Sequence, residues 1–376
     1  MRGEGRTGGP GASIGPRRLM AQQVARHACA TSRELVSWLG AVQAQDYAAA
    51  KWAMGIRLAA PEATDVGVER AIAEGEVIRM HALRSTWQLV APEDAQWILA
   101  LVGPRVIARS ATRYRQLGLD AGTFRRSSAA LERALRDGDA FTRDELAEAL
   151  QRAGISTEGQ RLAHLLAHAE LEALICGGPR RGKQFTYVLL DERAPGRGAP
   201  LREEEALAEL ALRYFRSRGP ATVADFTWWS GLAAADARLG LEAAKSSLAR
   251  EVIDGEEYWH GEEVPAAGSE REAYLLPAFD EYLIGYRDRA AVLDPEKAKQ
   301  VNANGGMLDP IVVVGGRVAG TWWRELARAE VTVAVDLFEP LTRRDRDLVA
   351  AAASRYGAFL GLEAQLVWGA GGRSRG

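Results

Sequence analysis

The stretch Gly177-Gly-Pro-Arg-Arg-Gly182-Lys183-Gln184 comes nearest, in this 376-residue chain, to a phosphate-cradling loop. Such a loop closes on Ser or Thr and runs into a helix whose amides meet the phosphates. Here Gln184 takes the hydroxyl position and the following residues read as a strand, so no nucleotide cofactor is expected. His164 and His168 stand four apart on a helix, a spacing that suits zinc. Leu165, however, fills the place of the glutamate that a zinc peptidase needs, and no third ligand is apparent. The pair reads as packing or solvent-facing side chains, and no metal is expected. Cys29 and Cys176 are too few for a disulfide framework or a four-thiolate site. No Gly-x-Ser-x-Gly elbow is present to raise a serine nucleophile.

The chemistry on offer is that of arginine. Of the 48 basic residues, 43 are Arg and five are Lys; with 50 acidic residues the net charge is −2. The average disguises the distribution. Between Leu101 and Arg136, eight Arg meet only Asp120 and Glu132, a local charge of +6. Arg105, Arg109 and Arg113 recur every four residues and give the helix predicted over 92–114 one basic face, for phosphate or for water. Arg180, Arg181 and Lys183 crowd a Gly-rich turn whose tip is predicted to meet a nucleic-acid backbone, and Arg317 follows Gly315-Gly316 in another turn, whose basic tip suits a groove. No uncharged apolar run approaches the ~18–20 residues needed to span a bilayer, and the N-terminus lacks a signal-peptide core. A cytoplasmic protein without membrane contact, nucleoid-associated when on DNA, is the expectation.

These side chains need elements to hold them. The chain repeats one arrangement without close sequence identity: helix, turn, helix, short β-hairpin. In the middle copy Thr142-Arg-Asp-Glu145 has the form of a capping box. Its first helix runs to Gly154, a second is predicted over 157–174, and two strands flank the basic turn. That order is a winged helix-turn-helix. The first copy is predicted as helices 31–42, 47–58 and 64–74 with a hairpin at 77–90. The later copy has helices 204–218, 226–231 and 236–250 with a hairpin at 252–260. Strands 274–279, 311–314, 317–323 and 330–337, a helix at 343–359 and a strand near 362–368 predict a smaller α+β domain. Trp228-Trp229 and Trp322-Trp323 read mainly as core. The expected fold is therefore mainly α with β. It comprises a disordered tail at 1–18, winged-helix modules at 19–120, 121–192 and 203–262 with a linker from Glu192 between the last two, an α+β domain at 270–368, and a second disordered tail at 369–376.

Three stretches carry a family resemblance. They are Trp38-Leu-Gly-Ala-Val-Gln43-Ala44-Gln45-Asp-Tyr, then Val77-Ile-Arg-Met-His-Ala-Leu-Arg84-Ser-Thr86-Trp-Gln-Leu-Val90, then Leu275-Leu-Pro-Ala-Phe279-Asp280-Glu281-Tyr282-Leu-Ile-Gly-Tyr-Arg287 continuing to Gly315-Gly-Arg317-Val-Ala-Gly320-Thr-Trp322. Together they resemble the winged-helix DNA glycosylases of the AlkZ and YcaQ type, bacterial enzymes of alkylation repair and antibiotic self-resistance. The resemblance implies a C-shaped assembly of tandem winged helices around a DNA channel. It implies Gln43 and Gln45 as the catalytic pair, acting without a cofactor on guanines alkylated at N7, bulky adducts and interstrand crosslinks included. Asp46, Arg84, Gln88, Asp280, Glu281 and Tyr282 belong to the same stretches and are supporting candidates. One departure stands out: Gln88 occupies the place where the family pattern has His. Asp280 to Tyr282 fit an internal salt-bridge network as well as a site.

The residues bear on this chemistry by themselves. Residues i and i+2 share a side only in extended chain, so a joint role requires the first helix to end near Val42. A carboxamide is no general base, which restricts the substrate. An N7-alkylguanine is already cationic, and its glycosidic bond breaks towards an oxocarbenium ion that two amide oxygens would stabilise while orienting water. Asp46 is placed first as the cap of the helix from Tyr47. Lys51 is the only lysine of the first module, and nothing beside it suggests a Schiff base, so hydrolysis without strand cleavage is expected. The rival reading is a non-enzymatic winged-helix DNA-binding protein. Such regulators usually dimerise on palindromes; no dimerisation helix is visible, and a monomer on double-stranded DNA is expected.

Overall fold

The computed structural model describes residues 14–195, 201–262, 271–302 and 308–369. Residues 1–13, 196–200 and 370–376, which hold most of the expected tails and the second half of the expected linker, lie outside that description. Within it, residues 14–18 correct the tail expectation: Ile14–Ala21 is a helix with Ile14, Gly15 and Arg18 buried. Arg18 donates from Nε to the Pro220 carbonyl at 2.9 Å and lies 3.6 Å over the Tyr286 ring. Tertiary contacts thus order a segment whose Gly- and Arg-rich sequence shows no apolar stripe.

Helix starts follow the capping chemistry. Thr31, Thr142 and Thr222 each accept from the amide three residues on, and Glu34, Glu145 and Asp225 reciprocate. Thr222 therefore starts its helix at Val223, three residues before the predicted 226. Helix Ser32–Leu39 stops at Gly40, whose φ of 74° only glycine adopts readily. Helix Ala234–Ala244 ends sooner than predicted, and Leu248–Ile253 instead pairs with Glu256–Gly261. In the middle copy, helices Arg143–Arg152 and Arg161–Leu171 precede strands Ile175–Gly177 and Thr186–Leu189, with Phe141–Thr142 as a third strand. The Gly-rich turn links two strands, as its sequence suggested.

Three cores hold these elements, and they do not follow the chain in order. One joins residues between Leu19 and Ala91 to residues between Ala273 and Phe359, so the two ends of the chain close a single apolar interior. Trp52 shows the join: its indole donates to the Leu275 carbonyl at 2.7 Å. The C-terminal sheet has the order Glu363–Trp368, Glu330–Leu337, Arg317–Leu326, Ile311–Val314, Ala273–Leu276. It is antiparallel except for its first pair, which helix Arg343–Leu360 connects as a crossover. A second core gathers Pro92–Gln116, Glu203–Arg218, Val223–Ser230 and Ala234–Ala244 around Phe215, Phe226 and Trp229. The third lies among Ala121–Leu135, Arg143–Arg152 and Arg161–Leu171. No described helix is long and apolar enough to cross a membrane.

Candidate active site

Because helix Ser32–Leu39 ends at Leu39, Val42–Gln43 is free to form a strand. It pairs with Trp87–Val90 as Val42↔Leu89 and Gln43↔Gln88. Asp46 caps helix Tyr47–Gly55 by accepting from the Ala49 amide at 3.0 Å. The stretch from Gln43 to Asp46 is therefore extended and turning, as a joint role for the two glutamines requires. The Gln43 side-chain oxygen accepts from the Gln45 amide at 2.6 Å, which ties the two motif residues into one short turn. A carboxamide oxygen has a second lone pair, so it keeps one acceptor position for water. Gln45 is exposed, and its carboxamide has no hydrogen bond among the described residues.

Val42–Gln43 is an edge strand, and the Gln43 amide points away from its partner. Glu281 covers it, accepting at 3.0 Å on Oε1. The other Glu281 oxygen accepts from Arg218 Nε at 3.0 Å, Arg218 Nη2 at 2.7 Å and Trp229 Nε1 at 3.1 Å. Glu281 is 1% exposed and Arg218 0%. Arg218 in turn donates to the Leu39 and Ala41 carbonyls, the residues that lead into the strand. Asp280 makes a two-pronged pair with Arg57 at 2.7 and 2.8 Å. Tyr282 donates to the Gly316 carbonyl at 2.7 Å, and burial raises its pKa well above the ordinary phenol value. The Asp280–Tyr282 stretch is thus a buried ion-pair network, and one of its members touches the motif backbone.

A cavity of about 390 Å³ opens beside Gln43, lined also by Arg84, Thr86, Trp228, Phe279 and Arg289. The hairpin tip enters it under strain: Arg84 and Ser85 have φ of 55° and 59°, and Phe279 opposite has 57°. Gln88, buried across from Gln43, donates to Thr86 Oγ1 at 2.7 Å, and Thr86 donates to the Leu83 carbonyl at 3.1 Å. Arg84 packs against Gly231, where an added Cβ would lie 2.8 Å from Arg84 Cγ. An adjoining cleft of about 750 Å³ shares Arg84 and Trp228 and is bordered by Arg109, Arg238 and Arg287. Trp229 and Trp322 are core, as read from the sequence, but Trp228 is not. Trp228 is 45% exposed, whereas Trp229 is buried, because neighbours on a helix point about 100° apart.

The remaining basic candidates are scattered. Arg105 pairs with Asp236 at 3.0 Å and with Glu203, which closes off its guanidinium. Arg109 donates to the Gly231 carbonyl at 2.9 Å on the rim of the larger cleft. Arg113 bonds Gln116 and Gln160. Arg180 lies 5.1 Å over the Tyr47 ring, two residues past Gln45, and 3.7 Å from Glu69. Arg181 pairs with Glu145 at 2.7 Å, and Lys183 is exposed on the same turn. Arg317 is exposed, but its Gly315-Gly316 turn is packed on Gly15 and Pro16. His168 stacks on Phe124 at 3.7 Å, a packing role. The cavity thus unites Gln43, Arg84 and Thr86, sets Gln88 and Glu281 against Gln43, and excludes Arg105, Arg113, Arg180, Arg181, Lys183 and Arg317 from its lining. Sequence reasoning missed Arg289, whose spacing carries no signal, and placed Trp228 mainly in the core.

The sequence profile of the family described as DNA glycosylase AlkZ-like matches residues 36–359. The interstrand DNA cross-link repair glycosylase of Streptomyces sahachiroi is 28% identical over 320 residues, which cover 81% of this chain and 84% of that relative. The solved structure of the Streptomyces sahachiroi DNA glycosylase AlkZ shares the fold with a TM-score of 0.80 at 24% identity, covering 95% of this chain and 99% of that one.

Proposed function

This chain belongs to the AlkZ-like DNA glycosylases, and from that premise we propose that it hydrolyses the N-glycosidic bond of N7-alkylated purines in duplex DNA. The observation that carries the reading is the Gln43–Gln45 turn: two carboxamides on an extended, turning stretch, one lining a half-enclosed cavity and one exposed outside that lining. N7 alkylation leaves the purine positively charged, so the leaving group needs no proton. Bond cleavage builds positive charge on the sugar. Preorganised amide oxygens offset that charge and hold the attacking water, which a carboxamide aligns without deprotonating it. A neutral purine lacks the activation, and the same site leaves it intact. The product is an abasic site with the strand uncut.

A crosslinked guanine or a bulky adduct falls within the same reading, since the cavity and its adjoining cleft are of drug-sized volume. The relative of 28% identity is named for crosslink repair, which favours that extension. We read the three helix-and-hairpin units as winged helices wrapped in a C around the duplex by a monomer, with Lys183, Arg109 and Arg317 at the backbone. Base release from a duplex carrying 7-methylguanine, scored as alkali-labile breaks, tests the proposal. Wild type should release the base, and Gln43→Ala and Gln45→Ala should each lose roughly 10²–10³-fold with DNA binding retained. Failure on 7-methylguanine, a bulky N7 adduct and a crosslink, with binding intact, would leave a DNA-binding protein without catalysis. A borohydride-trapped protein–DNA adduct would contradict the monofunctional route.

A further inference from the structure

Arg84 and Arg289 line the Gln43 cavity together, and among the described residues its lining contains no Asp or Glu. Both guanidinium groups are half-buried, and neither forms an ion pair among the described residues. Arg84 Nε is buried without a hydrogen-bond partner, and the group lies 5.8 Å from the Trp228 ring. Arg289 is anchored through Nε to the Leu283 carbonyl at 2.8 Å. Burial, and after it the charge of Arg84, lowers the Arg289 pKa; burial lowers that of Arg84 as well. The carboxylate that acts on Arg84, Glu281, is already committed to Arg218, Trp229 and the Gln43 amide. Two like charges without counter-ions in a half-enclosed cavity cost free energy that an anion recovers.

We propose that Arg84 and Arg289 form a phosphodiester subsite that grips the backbone phosphate beside the target nucleotide while its sugar faces Gln43. The identity of the strand rests on the glycosylase reading; the anion chemistry does not. Guanidinium forks suit a phosphate, and two of them from separate elements fix its position as well as its charge. The subsite also resolves an electrostatic conflict. Two bare cations beside a sugar that is becoming cationic would raise the barrier, whereas a phosphate held between them returns negative charge to that point.

A methylphosphonate walk tests this. Each phosphate flanking the lesion is replaced in turn by an uncharged methylphosphonate, in duplexes carrying 7-methylguanine for single-turnover release and a tetrahydrofuran site for binding. In the wild type one linkage should stand out, with affinity or release reduced roughly 10- to 100-fold. In the Arg84→Gln/Arg289→Gln variant that linkage should lose its effect, and Arg289→Lys should restore part of it. If the double variant does not fold, the single variants and the wild-type walk decide the matter. No distinguished linkage, or one whose effect persists in the variants, overturns the subsite. Linkage-specific binding without base release from any lesion would sink the glycosylase reading and leave the subsite standing. Release without linkage dependence would do the reverse.

Discussion

Replacing Glu281 by Gln is the sharpest test of how the motif is held. The side chain keeps its shape, but its single amide oxygen can face either the Gln43 amide or the Arg218 and Trp229 donors, and the NH2 group, a donor, meets the other side. It loses the charge opposite Arg218, which is fully buried and has no other ion pair among the described residues. Breaking a buried pair from one side costs about 3–5 kcal/mol, because the remaining charge stays desolvated and uncompensated. Thermal and urea unfolding should therefore show a loss of that order. At roughly 2–4 °C per kcal/mol, it corresponds to a Tm drop of about 6–20 °C. Base release should fall in the surviving folded protein as well, since the carboxylate also accepts from the Gln43 amide at 3.0 Å. The double replacement Glu281→Gln/Arg218→Met removes the stranded charge, so it should recover much of the stability without recovering release. An unchanged Tm for Glu281→Gln, within about 1 kcal/mol, would refute the reasoning, as would full activity in the double variant.

Further outcomes follow from the same geometry. Gly103→Ala should destabilise by roughly 1–3 kcal/mol in urea melts despite alanine's better helix propensity, because its Cβ would lie 2.3 Å from the Leu171 carbonyl oxygen. Burial, against the pull of the His81 imidazole bonded to it at 2.5 Å, holds the Glu170 carboxyl above its ordinary pKa. The folded state then binds more protons than the unfolded one between those two values, so this group makes stability fall as pH rises through that window. Urea melts of Glu170→Gln and wild type should therefore diverge in the variant's favour as pH rises from about 4 towards 7. Arg105→Ala should leave the salt dependence of DNA binding unchanged, since Asp236 and Glu203 already neutralise it, whereas Lys183→Ala should reduce the log–log slope by about one.

What the residues determined by themselves was local. Thr31, Thr142 and Thr222 start helices because a hydroxyl three residues before an acid satisfies orphan amides, whatever the rest of the chain does. Gly40 ends helix Ser32–Leu39, Asp46 starts the next, and between them the motif is left extended and turning. The strands around the basic turn and the resemblance carried by three separated stretches were legible for the same reason. Tertiary structure alone decided which residues meet. Glu281 reaches the Gln43 amide across 238 positions of chain, and Arg218 reaches the carbonyl of Ala41 across 177. Nothing periodic encodes such contacts, because they arise where cores built from distant segments close on one another. The same closure ordered residues 14–18 against a sequence that reads as tail, and left Trp228 exposed beside a buried Trp229. It also enclosed Arg84 with Arg289 in one cavity. Local chemistry writes the elements, and long-range burial chooses which polar groups are stranded together, which is where a site can form.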